Sequence, residues 1–196
     1  MIISHPATYK PGRVCEHVSL VDLLPTFMDW ATDGNPPEPV SPLDGHSLDG
    51  LLSGGDERWD NTVISEYTGE GVIAPCRMIR RGEHKYIYTH GHPPLLYNTT
   101  QDPLELDNLA GQPDVAAVEA ELARDILVDW DPATINDACI QSQKERLFIQ
   151  ETTGGEPNWA YLSRPGDGSR FVRNAGATQA KQKARYPFVE PTPFER

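Results

Sequence analysis

The residues that could carry chemistry are scattered along this chain, and their spacing completes no familiar site. Cys15, Cys76 and Cys139 are far apart and odd in number, and no Cys-x-x-Cys pair occurs. This pattern predicts neither a zinc site nor a disulfide framework. His90 and His92 have the spacing of a metal-binding pair, but two histidines in a Gly/Pro loop without a nearby Cys or carboxylate are usually surface residues. We therefore predict no metal site in this chain.

Two further patterns have both a chemical and a structural interpretation. Asp44 and His46 could form a general acid–base pair. They also precede Ser47, a candidate helix cap, so we interpret them as cap and turn residues. Gly69-Glu70-Gly71 resembles a phosphate-binding loop, but no Lys and no capped helix follow it. The residues alone thus predict no catalytic group.

The charge and hydropathy of the chain limit its partners. The net charge of −12 over 196 residues argues against nucleic acid and anionic membrane surfaces, which both require basic patches. The charge is compatible with a cationic ligand or with simple solubility. No apolar run approaches membrane-spanning length, and residues 1–6 lack the features of a secretory signal. Together with the unpaired cysteines, this leads us to expect a cytoplasmic protein.

The elements that would position any site follow from hydrophobic periodicity and turn residues. A helix is expected from Asp22, with Pro25 in its first turn, and a short helix is expected between Ser47 and Gly54. Helices are also expected from Pro113 to about residue 129 and from residue 132 to about residue 150, the second after an Asp-Pro start. Short runs rich in β-branched and aromatic residues predict four antiparallel strands, at 62–67, 74–80, 85–89 and 95–98.

Residues 96–110 form the most specific pattern, LYNTTQDPLELDNLA. They predict a strand end, a turn on Asp102-Pro103 and a lead-in to a helix, with Leu104, Leu106 and Leu109 fixing the turn to a core. The segment resembles a motif near the C-terminal end of the sulfatases, which hydrolyse sulfate esters. Residues 18–26 (VSLVDLLPT) and 43–48 (LDGHSL) also resemble sulfatase segments. Residues 66–82, 130–143 and 159–187 resemble choline-sulfatases in particular.

The resemblance implies an α+β chain, the C-terminal portion of an alkaline-phosphatase-like sulfatase. We expect a remnant of the large α/β domain at 1–60, a small subdomain with a four-stranded antiparallel sheet and a helix at 61–130, and a C-terminal helix with an extended tail at 131–196. Met1 would be an internal or truncated start. Sulfatases use a formylglycine made in a Cys-x-Pro-x-Arg context beside a divalent metal, usually calcium. None of the three cysteines has that context, so no catalytic or metal position is carried over.

The resemblance also implies choline sulfate as the substrate and a homo-oligomer in which the tail closes a neighbouring subunit's pocket. A quaternary ammonium is held by aromatic faces and carboxylates, because it cannot form ordinary hydrogen bonds. We expect Phe171 and Asn174 in the tail to contribute, with Glu66 or Glu70 as the counter-charge. Phe171 could instead anchor the tail, and either glutamate could be a solvated surface charge.

Three functional hypotheses follow. The chain is the C-terminal region of a choline-sulfatase, inactive alone. Alternatively, it is a non-catalytic binding or oligomerisation module that complements a separate catalytic half. In the third, the enzyme acts on another sulfate or phosphonate ester. Under the first hypothesis, Ile2, Ile3 and the apolar face around Phe27 and Trp30 should be exposed, and the chain should be poorly soluble alone.

Overall fold

The fold was examined in a computed structural model, which describes residues 1–55, 59–69 and 72–153. Two compact units are present. Unit 1 comprises Met1–Ile64, Ile79–Lys85 and Tyr97–Asp107, and unit 2 comprises Ser65–Met78, Tyr86–Leu96 and the chain from Asn108 onward. Within the described ranges, no helix has the length and apolar character needed to cross a membrane. The three-part division of the chain at residues 60 and 130 stays a prediction.

The central element is a four-stranded antiparallel sheet with strand order β1-β2-β3-β4. Its strands are β1 (Thr62–Tyr67), β2 (Cys76–Arg81), β3 (His84–Thr89) and β4 (Leu95–Asn98). The turn between β2 and β3 places Gly82 at a φ of 55°, which glycine adopts without a steric penalty. Ile79 and Leu96 are fully buried. The four predicted strands and the α+β fold class are confirmed.

Strand β2 begins two residues later than the sequence predicts. Ala74 and Pro75 are buried but lie outside the ladder, and the Pro75 carbonyl accepts a hydrogen bond from the His90 N–H at 2.9 Å. Proline cannot donate to a strand ladder, so the strand starts after it.

Helices α1 (Leu23–Ala31) and α2 (Asp49–Leu52) belong to unit 1. Helix α1 starts directly after Asp22 and holds Pro25 in its first turn, as predicted. The Ser47 hydroxyl accepts a hydrogen bond from the Asp49 N–H at 3.3 Å at the start of α2. Helix α2 ends before Gly54, which has a φ of 133°, a value that glycine adopts without a steric penalty. Local sequence signals therefore placed these helices correctly.

Helices α3 (Ala116–Asp125) and α4 (Pro132–Thr153) belong to unit 2. A 3₁₀ turn, Pro113–Val115, precedes α3. The helix predicted to reach residue 129 ends at Asp125, and residues 126–129 form turns with Asp129 at a φ of 54°. Leu122 and Ile126 are buried as expected. The Asp131 carboxylate accepts hydrogen bonds from the Ala133 and Thr134 N–H groups, so the predicted cap of α4 is confirmed.

The expected exposure of apolar residues in unit 1 is confirmed in part. Ile2 is 97% exposed and Phe27 is 53% exposed, whereas Ile3 and Trp30 are half-buried. The predicted tail and its Phe171 and Asn174 lie outside the described residues.

Candidate functional site

The turn that carries the sulfatase-like pattern is held by polar side chains. The buried side chain of Asn98 accepts hydrogen bonds from the N–H groups of Thr100 and Gln101, at 3.1 and 3.0 Å. The Asp102 N–H donates to the Asn98 carbonyl at 2.8 Å. The Asp102 carboxylate accepts from the Asp107 N–H at 2.9 Å. Each asparagine or aspartate thus satisfies backbone donors that the turn would otherwise leave open.

Asn108 also satisfies backbone donors with its side chain. Its side-chain oxygen accepts hydrogen bonds from the N–H groups of Leu96 and Ala110, at 2.9 and 3.0 Å. The Leu109 N–H also donates to the Leu96 carbonyl at 2.8 Å. Leu96 is fully buried. The segment after the turn is therefore fixed to Leu96 of β4 by hydrogen bonds from both its backbone and a side chain.

The leucines of this turn do not have the role that the sequence predicts. Leu104 and Leu106 are each 76% exposed, so they do not fix the turn to a core, and only Leu109 is half-buried. Glu105 between them adopts a φ of 56° and forms an ion pair with Lys85, at 2.6 Å between Nζ and Oε2. Hydrogen bonds to Asn98 and Asp102 therefore hold this turn in place of packing by Leu104 and Leu106.

The second sulfatase-like pattern is a buried polar junction within unit 1. The Asp22 carboxylate is 5% exposed and accepts hydrogen bonds from the Ser19 N–H at 2.7 Å and the His46 N–H at 3.0 Å. The Thr26 hydroxyl donates to the Asp22 carbonyl at 2.6 Å and accepts from the Leu48 N–H at 2.9 Å. These bonds join the start of α1 to the segment before α2.

Gly45 completes this junction by close approach of two backbones. A Cβ at this position would lie 2.2 Å from the Val21 carbonyl oxygen and 2.7 Å from the Asp22 nitrogen. Only glycine avoids that overlap. Gly45 is thus explained by close packing and His46 by the hydrogen bond from its N–H to Asp22, whereas the predicted cap role of Asp44 stays a prediction.

An aromatic cluster of unit 1 includes Trp30 of α1. The His5 and Trp30 rings stack at 5.5 Å between centroids, and the Trp30 Nε1–H donates to the Tyr9 hydroxyl at 2.6 Å. The Tyr9 hydroxyl donates to the Asp49 carboxylate. Burial and this hydrogen bond raise the pKa of Tyr9 above its ordinary value. The cluster fixes residues 5–9 to α1 and α2.

In unit 2, Arg77 organises the chain between α3 and α4. Its Nη1 donates to the Ile126 carbonyl at 2.9 Å and to the Val128 carbonyl at 3.2 Å, and its guanidinium lies 5.5 Å from the centre of the Trp130 ring. Tyr88 meets the same ring edge-on at 5.8 Å. The carbonyls at a helix C-terminus lack partners inside the helix, so a cation there is favourable. Sequence reasoning missed this role, because a separation of about fifty residues leaves no local signal.

The structure places one of the four residues predicted to bind the substrate. Glu66 lies on β1 with an exposed side chain, and β1 is an edge strand of the sheet. Glu70, Phe171 and Asn174 lie outside the described residues. The described part of the chain therefore does not bring these four residues together, and the choice between Glu66 and Glu70 stays open.

The other candidates from the sequence have structural partners. The His46 ring packs edge-on to Trp59, at 6.4 Å between centroids. His90 Nδ1 lies 3.4 Å from the Tyr88 hydroxyl, and the His92 N–H donates to the Thr89 carbonyl at 3.0 Å. Within residues 1–55, 59–69 and 72–153, no group of three His, Cys, Asp or Glu side chains is placed to hold a metal ion. The described residues therefore do not form a binding site for calcium, which takes six to eight oxygen ligands.

The sequence model of the family described as N-sulphoglucosamine sulphohydrolase, C-terminal, matches residues 1–129. The chain belongs to this family of sulfatase C-terminal regions. The matched range includes the Asp22 junction, the sheet, the 96–110 turn and α3. It confirms the sulfatase resemblance of the sequence.

Two curated relatives show how much of a sulfatase this region represents. The chain is 32% identical over 184 residues to a choline-sulfatase of Rhizobium meliloti strain 1021, across 90% of this chain and 35% of that protein. It is 37% identical over 135 residues to arylsulfatase K of Danio rerio, across 65% of this chain and 25% of that protein. This chain thus spans about a third or less of the curated relatives that it matches.

Solved structures of a putative sulfatase and of a phosphonate monoester hydrolase are also similar to part of this chain. A putative sulfatase from Bacteroides thetaiotaomicron VPI-5482 is 35% identical, with a TM-score of 0.47 over 55% of this chain and 23% of that one. A phosphonate monoester hydrolase of Agrobacterium radiobacter is 30% identical, with a TM-score of 0.46 over the same shares.

Proposed function

We propose that this chain is the C-terminal part of a choline-sulfatase, which converts choline sulfate and water to choline and sulfate. In this proposal the chain supplies elements of the substrate pocket and of a homo-oligomer interface, and it is inactive alone. The enzyme is proposed to be cytoplasmic.

One observation supports choline sulfate over other esters. The match to the Rhizobium meliloti choline-sulfatase covers 90% of this chain, so it cannot end at residue 129 as the family match does. It must include much of α4 and of the tail that was predicted to close the pocket. A residue pattern shared beyond the common sulfatase region is the kind of feature that distinguishes one substrate class from another.

The proposed pocket elements follow the chemistry of a quaternary ammonium. Phe171 would offer an aromatic face, and such a cation–π contact contributes about 0.5–2 kcal/mol. Asn174 would lie beside it, and Glu66 or Glu70 would balance the positive charge. Glu66 is exposed on an edge strand and is therefore accessible to a ligand or to a neighbouring subunit. The acidic chain, with a net charge of −12, is compatible with a cationic substrate.

The nucleophile and metal are assigned to sequence outside this chain. No Cys-x-Pro-x-Arg segment occurs in the 196 residues, and the described residues hold no donor set for calcium. We propose that the remaining part of the enzyme provides the formylglycine and a divalent metal, most simply calcium. The metal would polarise the sulfate ester there, while this chain binds and orients the cationic end of the substrate.

The test uses a chimera that joins the N-terminal part of the Rhizobium meliloti choline-sulfatase to this chain, hereafter the chimera. We expect the isolated chain to release no sulfate from choline sulfate in a calcium-containing assay, and the chimera to release it. Phe171→Ala in the chimera should raise KM for choline sulfate, whereas Phe194→Ala, the matched control in the tail, should leave KM unchanged. Turnover by the isolated chain would overturn the proposal.

A second substrate class is favoured by the higher identity, 37%, to arylsulfatase K of Danio rerio. An aryl sulfate has no quaternary ammonium, so Phe171→Ala should not affect its KM selectively. The chimera is therefore assayed with 4-nitrophenyl sulfate in parallel. A chimera that hydrolyses the aryl ester and ignores choline sulfate would establish this second candidate. If a folded chimera hydrolyses neither ester, the chain is better explained as a non-catalytic module.

A further inference from the structure

Two neighbouring side-chain donors in unit 2 are buried without an acceptor. Trp130 is only 8% exposed, and its indole Nε1–H has no hydrogen-bond partner within the described part of the chain. The Nε of Arg77 is also buried, and the same residues offer it no acceptor. The Arg77 guanidinium lies 5.5 Å from the centre of the Trp130 ring, so the two donors belong to side chains in contact. Burial of a donor without an acceptor is unfavourable, and such donors in folded proteins normally have a partner.

The positive charge of Arg77 is unpaired as well. Among residues 1–55, 59–69 and 72–153, no carboxylate forms an ion pair with this half-buried side chain. The carboxylate that follows Trp130 directly, Asp131, instead accepts three hydrogen bonds from Ala133 and Thr134 in the first turn of α4. A partly buried cation without a counter-charge is unexpected in a chain with 29 acidic and 17 basic residues.

The bonds that Arg77 forms leave one edge of its guanidinium for a ligand. The carbonyls of Ile126 and Val128 both accept from Nη1. Nε and Nη2 form a separate edge, and this fork of two donors matches two oxygens of a carboxylate or a sulfate. A water molecule would satisfy the donors but would leave the charge unbalanced. The pattern of donors and charge therefore favours an oxyanion.

We propose that Arg77 and Trp130 form a binding site for an oxyanion. Nε and Nη2 of Arg77 donate to two of its oxygens, and the Trp130 indole N–H donates to the same group. Because Nη1 holds the carbonyls of Ile126 and Val128, a bound oxyanion also orders the connection between α3 and α4. Free sulfate, which sulfatases release, and a carboxylate of another protein segment share this chemistry. The proposal does not depend on which sulfate ester the enzyme hydrolyses.

The experiment follows the indole N–H resonances of the 196-residue chain by NMR, with isotopic nitrogen in its tryptophans. Sodium sulfate replaces sodium chloride at constant ionic strength, which keeps screening constant. We expect the Trp130 resonance, assigned by its loss in Trp130→Phe, to move downfield and to saturate. Trp30 and Trp59 are internal controls whose resonances should not move, because their indole N–H groups already donate to the Tyr9 hydroxyl and the His17 carbonyl.

Three variants test the donors. Arg77→Lys keeps the charge but loses the fork, so it should weaken sulfate binding at least about tenfold. Trp130→Phe leaves Arg77 in place and should weaken binding, measured by calorimetry, at least about fivefold, because one bond from the indole donor to the anion is lost. Arg124→Lys is the matched control, since its side chain is 70% exposed and its replacement should change the affinity less than about twofold.

The same titration with acetate separates the two sources of the oxyanion. Saturation by sulfate alone would assign the site to free sulfate, and saturation by acetate alone would assign it to a carboxylate of another segment. Saturation by both would support a site for either. A Trp130 resonance that moves with neither anion would overturn the proposal, as would equal affinities of the Arg77→Lys and Arg124→Lys variants.

Discussion

Replacing Arg77 with Ala should loosen the chain between α3 and α4. The guanidinium is half-buried and donates through one nitrogen to two carbonyls, at 2.9 Å for Ile126 and 3.2 Å for Val128. A hydrogen bond from a charged donor contributes about 1.5–3 kcal/mol. The Val128 contact is exposed and shares the donor nitrogen, so we count only the Ile126 bond in full. The cation–π contact with Trp130 at 5.5 Å adds about 0.5–1 kcal/mol.

The expected loss is therefore about 2–4 kcal/mol for local opening of this segment. Since about 1.4 kcal/mol is a factor of ten, 2 kcal/mol corresponds to roughly thirtyfold faster exchange. Native-state hydrogen exchange of residues 122–131 in the chimera measures the change directly. Arg77→Lys should fall between wild type and Ala, because Lys keeps the charge but not the planar guanidinium.

Arg124→Ala is the matched control for this prediction. The Arg124 side chain is 70% exposed and pairs with Asp125 at 2.8 Å, and such a surface pair contributes at most about 1 kcal/mol. The reasoning would be refuted if Arg77→Ala and Arg124→Ala changed the exchange of residues 122–131 equally. It would also be refuted if Arg77→Ala left the segment as protected as in the wild type.

Two further predictions concern the Asp22 junction and the start of α4. Gly45→Ala should destabilise unit 1 by at least about 3 kcal/mol in urea unfolding, because the new Cβ would lie 2.2 Å from the Val21 carbonyl oxygen, which cannot rotate away. Gly34→Ala, at a φ of 76° in open space, should cost only about 1–2 kcal/mol, and equal losses would contradict the packing argument. Hydrogen bonds from the Thr134 hydroxyl and N–H lower the pKa of Asp131. The folded chain thus binds this proton more weakly than the unfolded chain, so the cap stabilises α4 above the ordinary pKa and is lost as the pH falls through the lowered value. An NMR titration that gave Asp131 an ordinary or raised pKa would refute this.

Local sequence signals predicted most of the secondary structure. Strands β1 and β4 occupy the predicted residues, Pro25 lies in the first turn of α1, and the start of α4 was correctly identified from its cap Asp131. These features depend on neighbouring residues, so the sequence contains the information needed to place them. The predicted N-cap role of Asp22 was wrong, because its carboxylate accepts hydrogen bonds from the Ser19 and His46 N–H groups and not from the first turn of α1. The end of α3 did not follow from such signals. The Ile126 carbonyl, directly after α3, accepts a hydrogen bond from Arg77 on β2, a residue 49 positions earlier in the chain.

The sequence by itself determined the family, because the 96–110 turn and the Asp22 and Gly45 segments resemble sulfatase segments and lie within the family match that confirms the resemblance. Only the tertiary structure shows which residues hold the 96–110 turn in place. Two of the three leucines predicted to fix the turn, Leu104 and Leu106, are exposed, and the buried Asn98 holds the turn by accepting backbone hydrogen bonds. The physical reason is that a turn leaves backbone donors open, and a polar side chain satisfies them where apolar packing cannot.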